Sequence, residues 1–228
     1  MTPSDFADIG ACLFDAYGTL FDVHSAVARE AGALGDKADA VSQLWRRKQI
    51  EYTWLRSLMR AHADFYQVTA EALDHALGAH GVGDRELRER LLELYLTLDA
   101  YPEVPETLDR IRARGIATAI LSNGEPRMLT AATDSANLRE RLDDVISVEA
   151  VGVYKPDARV YELGVERLGV APERTAFVSA NAWDACGAAH FGFQVIWLNR
   201  FAAMPEQLPG TPKATATTLD QVADLLGC

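Results

Sequence analysis

The sequence predicts an α/β fold: a parallel β-sheet flanked by helices, with a block of helices inserted after the first strand. Three observations carry this. The short apolar run Ala11-Cys12-Leu13-Phe14 leads directly into Asp15-Ala16-Tyr17-Gly18-Thr19, the form of a buried strand that ends in a turn. From Tyr101 onward, short apolar runs alternate with helical patterns, which is the signature of a parallel sheet covered by helices. Between the two, from Val23 to Leu98, apolar residues recur at helical spacing among many Arg and Glu residues, with no β-rich run.

Within the insertion, Val23 to Leu34 forms a short amphipathic piece that ends near Gly35. Asp39 to Phe65 carries Val41, Leu44, Trp45, Tyr52, Leu55, Leu58 and Met59 at roughly helical spacing, so one long helix is expected there. Thr69 suits the N-cap of a next helix bearing Leu73 and Leu77. Asp84 suits that of another bearing Leu87, Leu91, Leu94 and Leu98.

After Tyr101 a helix from Pro105 to Arg114 stops at Gly115, and Ile116 to Leu121 runs as a buried strand into Ser122-Asn123-Gly124. A polar helix and the strand Val145 to Val148 lead to Gly152-Val153-Tyr154-Lys155-Pro156. Pro156 suits the first turn of a helix ending near Gly169, which puts Lys155 at a helix entrance. Thr175 to Val178 feeds Ser179-Ala180-Asn181-Ala182-Trp183-Asp184, and Gln194 to Leu198 is the last strand expected. Met204 to Pro212 is a Pro-containing loop, and Thr218 with Gln221 forms a capping box for the final helix.

Composition narrows the function. The chain has 228 residues, 49% hydrophobic and 24% charged, enough for a substantial core in one domain or a domain with a sizeable insertion. The net charge of -11 argues against nucleic acid or an anionic membrane surface as partner. An anionic small substrate remains allowed if a local cationic pocket receives it. No apolar run reaches the length of about 18 residues that a membrane span needs, and Met1 to Gly10 has no secretory pattern, so a cytoplasmic location is expected. Cys12, Cys186 and Cys228 are odd in number and widely spaced, which suits reduced structural thiols.

Three strand ends thus offer polar groups: Asp15 with Thr19, Ser122 with Asn123, and Ser179 with Asn181 and Asp184. Lys155 adds a cation. Asp15 taken alone suits a nucleophile, a metal ligand or a turn residue. Convergence of several such turns on one crevice is what a catalytic site on this architecture requires.

In these residues the chain resembles the haloacid dehalogenase superfamily, with Asp15 to Thr19 as first motif and Ser122-Asn123, Lys155-Pro156 and Ser179 to Asp184 as the others. The resemblance covers nearly the whole chain. It implies a Rossmann-like core over residues 1–21 and 100–228 and a helical cap over residues 22–99. Most members of that superfamily are magnesium-dependent phosphatases with a second Asp two residues after the nucleophile and another four before the position of Asp184. Here those positions are Tyr17 and Ala180. Loss of the acid and of a potential ligand for a hard cation argues against metal-assisted phosphoryl transfer.

Both departures are similar to the metal-free L-2-haloacid dehalogenase branch, as is the cap segment Trp45 to Arg56. Successive helix residues point about 100° apart, so at most one of Arg46, Arg47 and Lys48 faces the crevice, and the resemblance picks Arg46. It implies hydrolysis of short L-2-haloalkanoic acids with no cofactor and no metal. Asp15 would attack C2 to form an ester, and water would release the D-2-hydroxy acid. A halide is a weak base, which explains the missing acid.

By the same resemblance, Arg46 and Asn123 hold the halide, and Tyr17 and Trp183 wall the reacting carbon beside Ala16 of the first motif. Ser122 and backbone amides bind the substrate carboxylate. Lys155 and Asp184 balance charge next to Asp15, with Asp184 also suited to the hydrolytic water, and Thr19, Tyr161, Ser179 and Asn181 complete the hydrogen-bond shell. Ile50 and Phe65 match pocket-shaping cap positions and equally suit helix core. His24 has no identifiable partner and receives no role. Ala185, Gly187, Ala188 and Ala189 suit close packing of a helix on the sheet. Such proteins commonly pair as homodimers, and the Asp39 to Phe65 helix offers a surface, although its apolar residues equally suit packing within the cap. A superfamily phosphatase with altered motifs, or a non-catalytic binding protein on this fold, is the alternative.

Overall fold

A computed structural model of the chain describes residue 6 and residues 8–228. Strands β1 (Ala11–Phe14), β2 (Ala117–Ser122), β3 (Asp144–Ser147), β4 (Thr175–Ser179), β5 (Gln194–Leu198) and β6 (Ala214–Ala216) form one parallel sheet in the order β3-β2-β1-β4-β5-β6. The winding reverses at β1, because the chain steps outward through β2 to β3 and returns on the other side of β1 for β4. A reversal of this kind opens a crevice beyond the strands' carboxyl ends. Asp15, the residue after β1, stands there, and its amide donates to Val178 O at 2.9 Å.

Every residue of β1 is buried, as in a strand covered on both faces. Helix α6 (Val104–Ala113) packs with α10 (Leu219–Leu225), and α8 (Ala158–Leu168) packs with α9 (Ala182–Phe191). Gly164 lets α8 lie close on the sheet, since a Cβ there would come within 2.8 Å of Leu13 Cδ1.

The insertion holds α1 (Ser25–Arg29), α2 (Ala31–Leu34), α3 (Ala38–Met59), α4 (Phe65–Ala79) and α5 (Arg85–Leu96). At a rise of about 1.5 Å per residue, the 22 residues of α3 reach roughly 33 Å, and α4 packs along it. The chain enters and leaves the insertion side by side: Asp22 N donates to Asp99 O at 2.8 Å, and Tyr101 N to Leu20 O at 3.0 Å. Helix α5 packs on α7 (Pro126–Ser135) of the sheet layer. Among the described residues, no helix is long and apolar enough to cross a membrane. The three cysteines are free.

Five local expectations need correction. The long helix expected over Asp39 to Phe65 ends at Met59, where Arg60 turns left-handed at φ 55°. Asp64, not Thr69, caps the next helix by accepting from Gln67 N at 2.8 Å, while the Thr69 hydroxyl bonds back to Phe65 O inside α4. Pro156 precedes the first turn of α8, whose N-cap is Asp157, so Lys155 lies in the loop before the helix. Strand β6 was absent from the expected elements because Ala214–Ala216 has no apolar run of its own; pairing with β5 defines it. The Asp84 cap forms as expected, accepting from Leu87 N at 3.0 Å. The Thr218 cap forms too, but the Gln221 side chain reaches Thr217 N instead of closing the box.

Candidate active site

The turn after β1 folds onto its own carboxylate. Gly18 takes φ +91°, open to glycine at little cost, and the amides of Thr19, Leu20 and Phe21 all donate to Ala16 O. This returns the Thr19 hydroxyl to Asp15, where it donates to Oδ2 at 3.1 Å and accepts from Ala180 N at 2.8 Å. The Asn181 amide, from the turn after β4, donates to the same Oδ2 at 2.7 Å and to Tyr17 O at 3.1 Å. The strand order makes these neighbours, because β4 lies beside β1.

The other carboxylate oxygen faces a buried cation. Lys155 Nζ donates to Asp15 Oδ1 at 3.2 Å and to Asp184 Oδ2 at 2.9 Å, and the Tyr161 hydroxyl donates to Asp184 Oδ1 at 2.9 Å. Lys155, Asp184 and Tyr161 are almost wholly shielded from solvent. Burial opposes the Lys155 charge, yet the two carboxylates outweigh it and hold the ammonium above its ordinary range. Burial raises the Asp184 carboxyl above the ordinary carboxylate range against the pull of Lys155. Burial and then Asp184 push the Tyr161 phenol up, which keeps it a donor. Gly187 makes this possible, since a Cβ there would lie 2.7 Å from the Tyr161 oxygen.

One cap cation reaches the same place. Arg46, on α3, donates from Nη2 to Tyr17 O at 3.0 Å and to Asn181 Oδ1 at 3.1 Å, and from Nη1 to Gln49 Oε1 at 2.8 Å. Its neighbour Arg47 is exposed, and Lys48 pairs with Glu51 at the surface. A small chamber is enclosed by Asp15, Tyr17, Arg46, Ile50, Thr53, Phe65, Asn123, Asn181 and Trp183. Tyr17 stacks on Tyr95 at 5.7 Å and meets Phe65 at 5.2 Å. Trp54 meets Trp183 edge-on at 5.2 Å, and both line the two larger outer cavities, of about 470 and 500 Å³.

The geometry therefore joins Asp15, Thr19, Asn181, Lys155, Asp184, Tyr161 and Arg46 in one hydrogen-bonded network, with Tyr17, Ile50, Phe65, Asn123 and Trp183 on the walls. Ala16 is buried and does not line the chamber; its carbonyl accepts from the amides of its own turn. Asn123 Oδ1 accepts from Lys155 N at 3.0 Å. Two predicted hydroxyls also stand apart. The Ser122 oxygen accepts from Gly124 N at 3.0 Å, and the Ser179 oxygen accepts from Asn181 N at 3.1 Å. Each shapes its own turn and neither lines the chamber.

Sequence reasoning missed Gln49, Thr69 and Tyr95, which surround Arg46 on the cap side. A signal existed: Gln49 continues the buried stripe of Val41 and Trp45 at helical spacing, where a polar side chain must find partners. His24 also has a partner, Ser42 Oγ at 2.7 Å from Nδ1, and burial lowers its pKa.

The donor set does not suit a hard cation such as magnesium, which wants carboxylate oxygens. Tyr17 and Ala180 offer none, and the two carboxylates present are bridged by Lys155. Among the described residues no group of three His, Cys, Asp or Glu side chains is placed to hold a metal ion.

Residues 9–192 match the model of the haloacid dehalogenase-like hydrolases. The chain is 46% identical to (S)-2-haloacid dehalogenase 4A of Burkholderia cepacia over 95% of its own length and 94% of that protein's. It is also 46% identical to (S)-2-haloacid dehalogenase 1 of Pseudomonas sp. (strain CBS-3), over 96% of each chain. The structure of L-2-haloacid dehalogenase from Xanthobacter autotrophicus with chloropropionic acid covalently bound is similar at a TM-score of 0.90 and 35% identity, covering 96% of this chain and 98% of that one. The chain therefore belongs to the haloacid dehalogenase-like hydrolases, in the branch of the (S)-2-haloacid dehalogenases.

Proposed function

We propose that the chain hydrolyses the carbon–halogen bond of short L-2-haloalkanoic acids, giving the D-2-hydroxy acid and halide through an ester on Asp15, without a metal. One observation carries the reading: a buried carboxylate, oriented by Lys155, Thr19 and Asn181, opens on an aromatic-walled chamber with a single cap guanidinium across it. The Xanthobacter relative holding covalently bound chloropropionic acid supports a covalent path.

An Asp15 oxygen attacks C2 from the side opposite the halogen, the new C–O bond forms as the halide leaves with the bonding pair, and the centre inverts. Arg46 and the Asn123 amide receive the halide. Backbone amides at the end of β2, in the turn that Ser122 holds, anchor the substrate carboxylate, while Tyr17, Ile50, Phe65 and Trp183 exclude water from the carbon. Water then attacks the Asp15 carbonyl carbon. Lys155 stabilises the oxyanion, Asp184 takes the water's proton and passes it to the leaving alkoxide oxygen as the tetrahedral centre collapses, and Asp15, freed as the acid, loses its proton to solvent and is restored as carboxylate. The chamber encloses about 10 Å³ of free space, near the minimum for one water molecule. A three-carbon acid therefore enters only as a wall moves, which suits a cap of residues 22–99 closing over a core of residues 1–21 and 100–228. Exposed Leu55, Leu58 and Met59 on α3 support pairing of two copies through the cap.

Single turnover in heavy-oxygen water, with mass analysis of enzyme and product, tests the mechanism. Label in Asp15 after turnover is expected. Label delivered straight to the hydroxy acid, with none in Asp15, refutes the ester. Halide release abolished by excess EDTA refutes the metal-free reading.

A further inference from the structure

We propose that Gln49 is the positioning residue that aims Arg46 at the departing halide while leaving the guanidinium charge uncancelled. The inference rests on the reading of Arg46 as a halide cradle. Gln49 is fully buried on α3, one turn from Arg46, and both ends of its side-chain amide are bonded. Its Oε1 accepts from Arg46 Nη1 at 2.8 Å and from the Tyr95 hydroxyl at 3.0 Å, and its Nε2 donates to Thr69 Oγ1 at 2.7 Å.

The direction of the amide follows from its neighbours. The Thr69 hydroxyl spends its one proton on Phe65 O, at 2.6 Å, so its oxygen can only accept from Gln49. That turns the amide nitrogen toward α4 and the oxygen toward Arg46. Tyr95, a buried phenol on α5 whose pKa is raised mainly by burial, is a donor and fixes the same choice. Three cap helices thus converge to present one neutral acceptor to one cation.

Neutrality is the functional point. All of Arg46's hydrogen-bond partners, Gln49 Oε1, Tyr17 O and Asn181 Oδ1, are uncharged. A guanidinium carries five N–H groups; three of Arg46's donate to these oxygens, and the neutral Tyr95 hydroxyl lies within hydrogen-bond reach of the same fork. A glutamate in place of Gln49 fits the same space and also accepts from Arg46 and Tyr95. It would form a buried ion pair and remove the net charge that attracts halide.

The test compares Gln49→Glu, Tyr95→Phe and Arg46→Lys with the parent enzyme. Three quantities are read: inhibition by added chloride, single-turnover halide release from 2-chloro- and 2-bromopropionate, and thermal melting. Gln49→Glu is expected to weaken chloride inhibition by roughly 10- to 100-fold, as loss of an orienting partner does at other ligand sites, and to slow chloride release more than bromide release. Tyr95→Phe, which removes one donor to Oε1, is expected to move both halide readouts the same way by about 2- to 5-fold.

A lowered melting temperature with chloride inhibition and the chloride-to-bromide ratio unchanged overturns the proposal and makes Gln49 a core residue only. If Gln49→Glu does not fold, Tyr95→Phe decides by the same readouts. Arg46→Lys separates the two levels. If it leaves chloride inhibition intact, the halide reading of Arg46 fails; if it abolishes inhibition that Gln49→Glu retains, only the Gln49 proposal fails.

Discussion

Two cations serve the Asp15 site, Lys155 behind the carboxylate and Arg46 on the chamber wall, and they are treated in opposite ways. Lys155, supplied by a loop of the sheet layer, meets two carboxylates at 3.2 and 2.9 Å. Arg46, supplied by the inserted helices, meets three neutral oxygens. The first charge is spent inside the protein, where it lets two carboxylates stay buried side by side. The second is held in place and left available. A site that must keep an internal nucleophile ionised and also receive an external anion needs both arrangements, and here each comes from a different layer of the molecule.

The largest effect expected comes from the group both cations serve. Asp15→Asn should cut halide release by at least about 10,000-fold, the scale of a lost nucleophile; near-parent release in a rapid-quench assay would remove Asp15 from the chemistry. Lys155→Met leaves Asp15 and Asp184 buried without a counter-charge. That should cost about 3–5 kcal/mol in urea unfolding at neutral pH, and a loss near zero would mean that the pair is not balanced by Lys155.

Arg46→Lys keeps a cation but not the fork. It should slow halide release by about 100-fold, as loss of one transition-state donor does, with much less loss of stability than Lys155→Met; equal stability losses would erase the contrast between the two cations. Asp184 must be ionised to take a proton from water, and burial raises its pKa. Ester hydrolysis should therefore rise with pH, with a midpoint above the ordinary carboxylate range. Asp184→Asn should remove that limb and accumulate the ester; an unchanged profile would assign the base elsewhere. The smallest effect tests the cap scaffold alone. Asp84→Ala, which removes the cap of α5, should cost about 1 kcal/mol of stability with halide release unchanged.

Much of the sheet layer was legible because its signals are local. An apolar run followed by Asp, Gly and Thr reads as strand and turn, and Asp84 before an apolar helix reads as a cap, since both depend on a few adjacent residues. The break at Arg60 was not legible, because nothing in Arg60 to Ala63 is Gly or Pro and only the Asp64 cap marks the restart. Lys155 was placed one element too late for a similar reason, Pro156 and Asp157 both being good starts for a helix. Gln49 was overlooked because two of its three partners, Thr69 and Tyr95, lie 20 and 46 residues away on other helices. Ser122 and Ser179 show the opposite case, since a hydroxyl at a strand end is equally fit for its own turn, which is where both oxygens are bound.

Strand positions, turn chemistry, the inserted helices and the family are encoded locally, through apolar periodicity and short polar motifs that hold their meaning whatever surrounds them. Which oxygen of Asp15 meets which donor, that Lys155 bridges two carboxylates and that Arg46 meets none were decided only when β1, β4 and α3 came together. Charge balance depends on distances of a few ångströms between residues 29 to 166 positions apart, and a linear pattern carries no record of those distances.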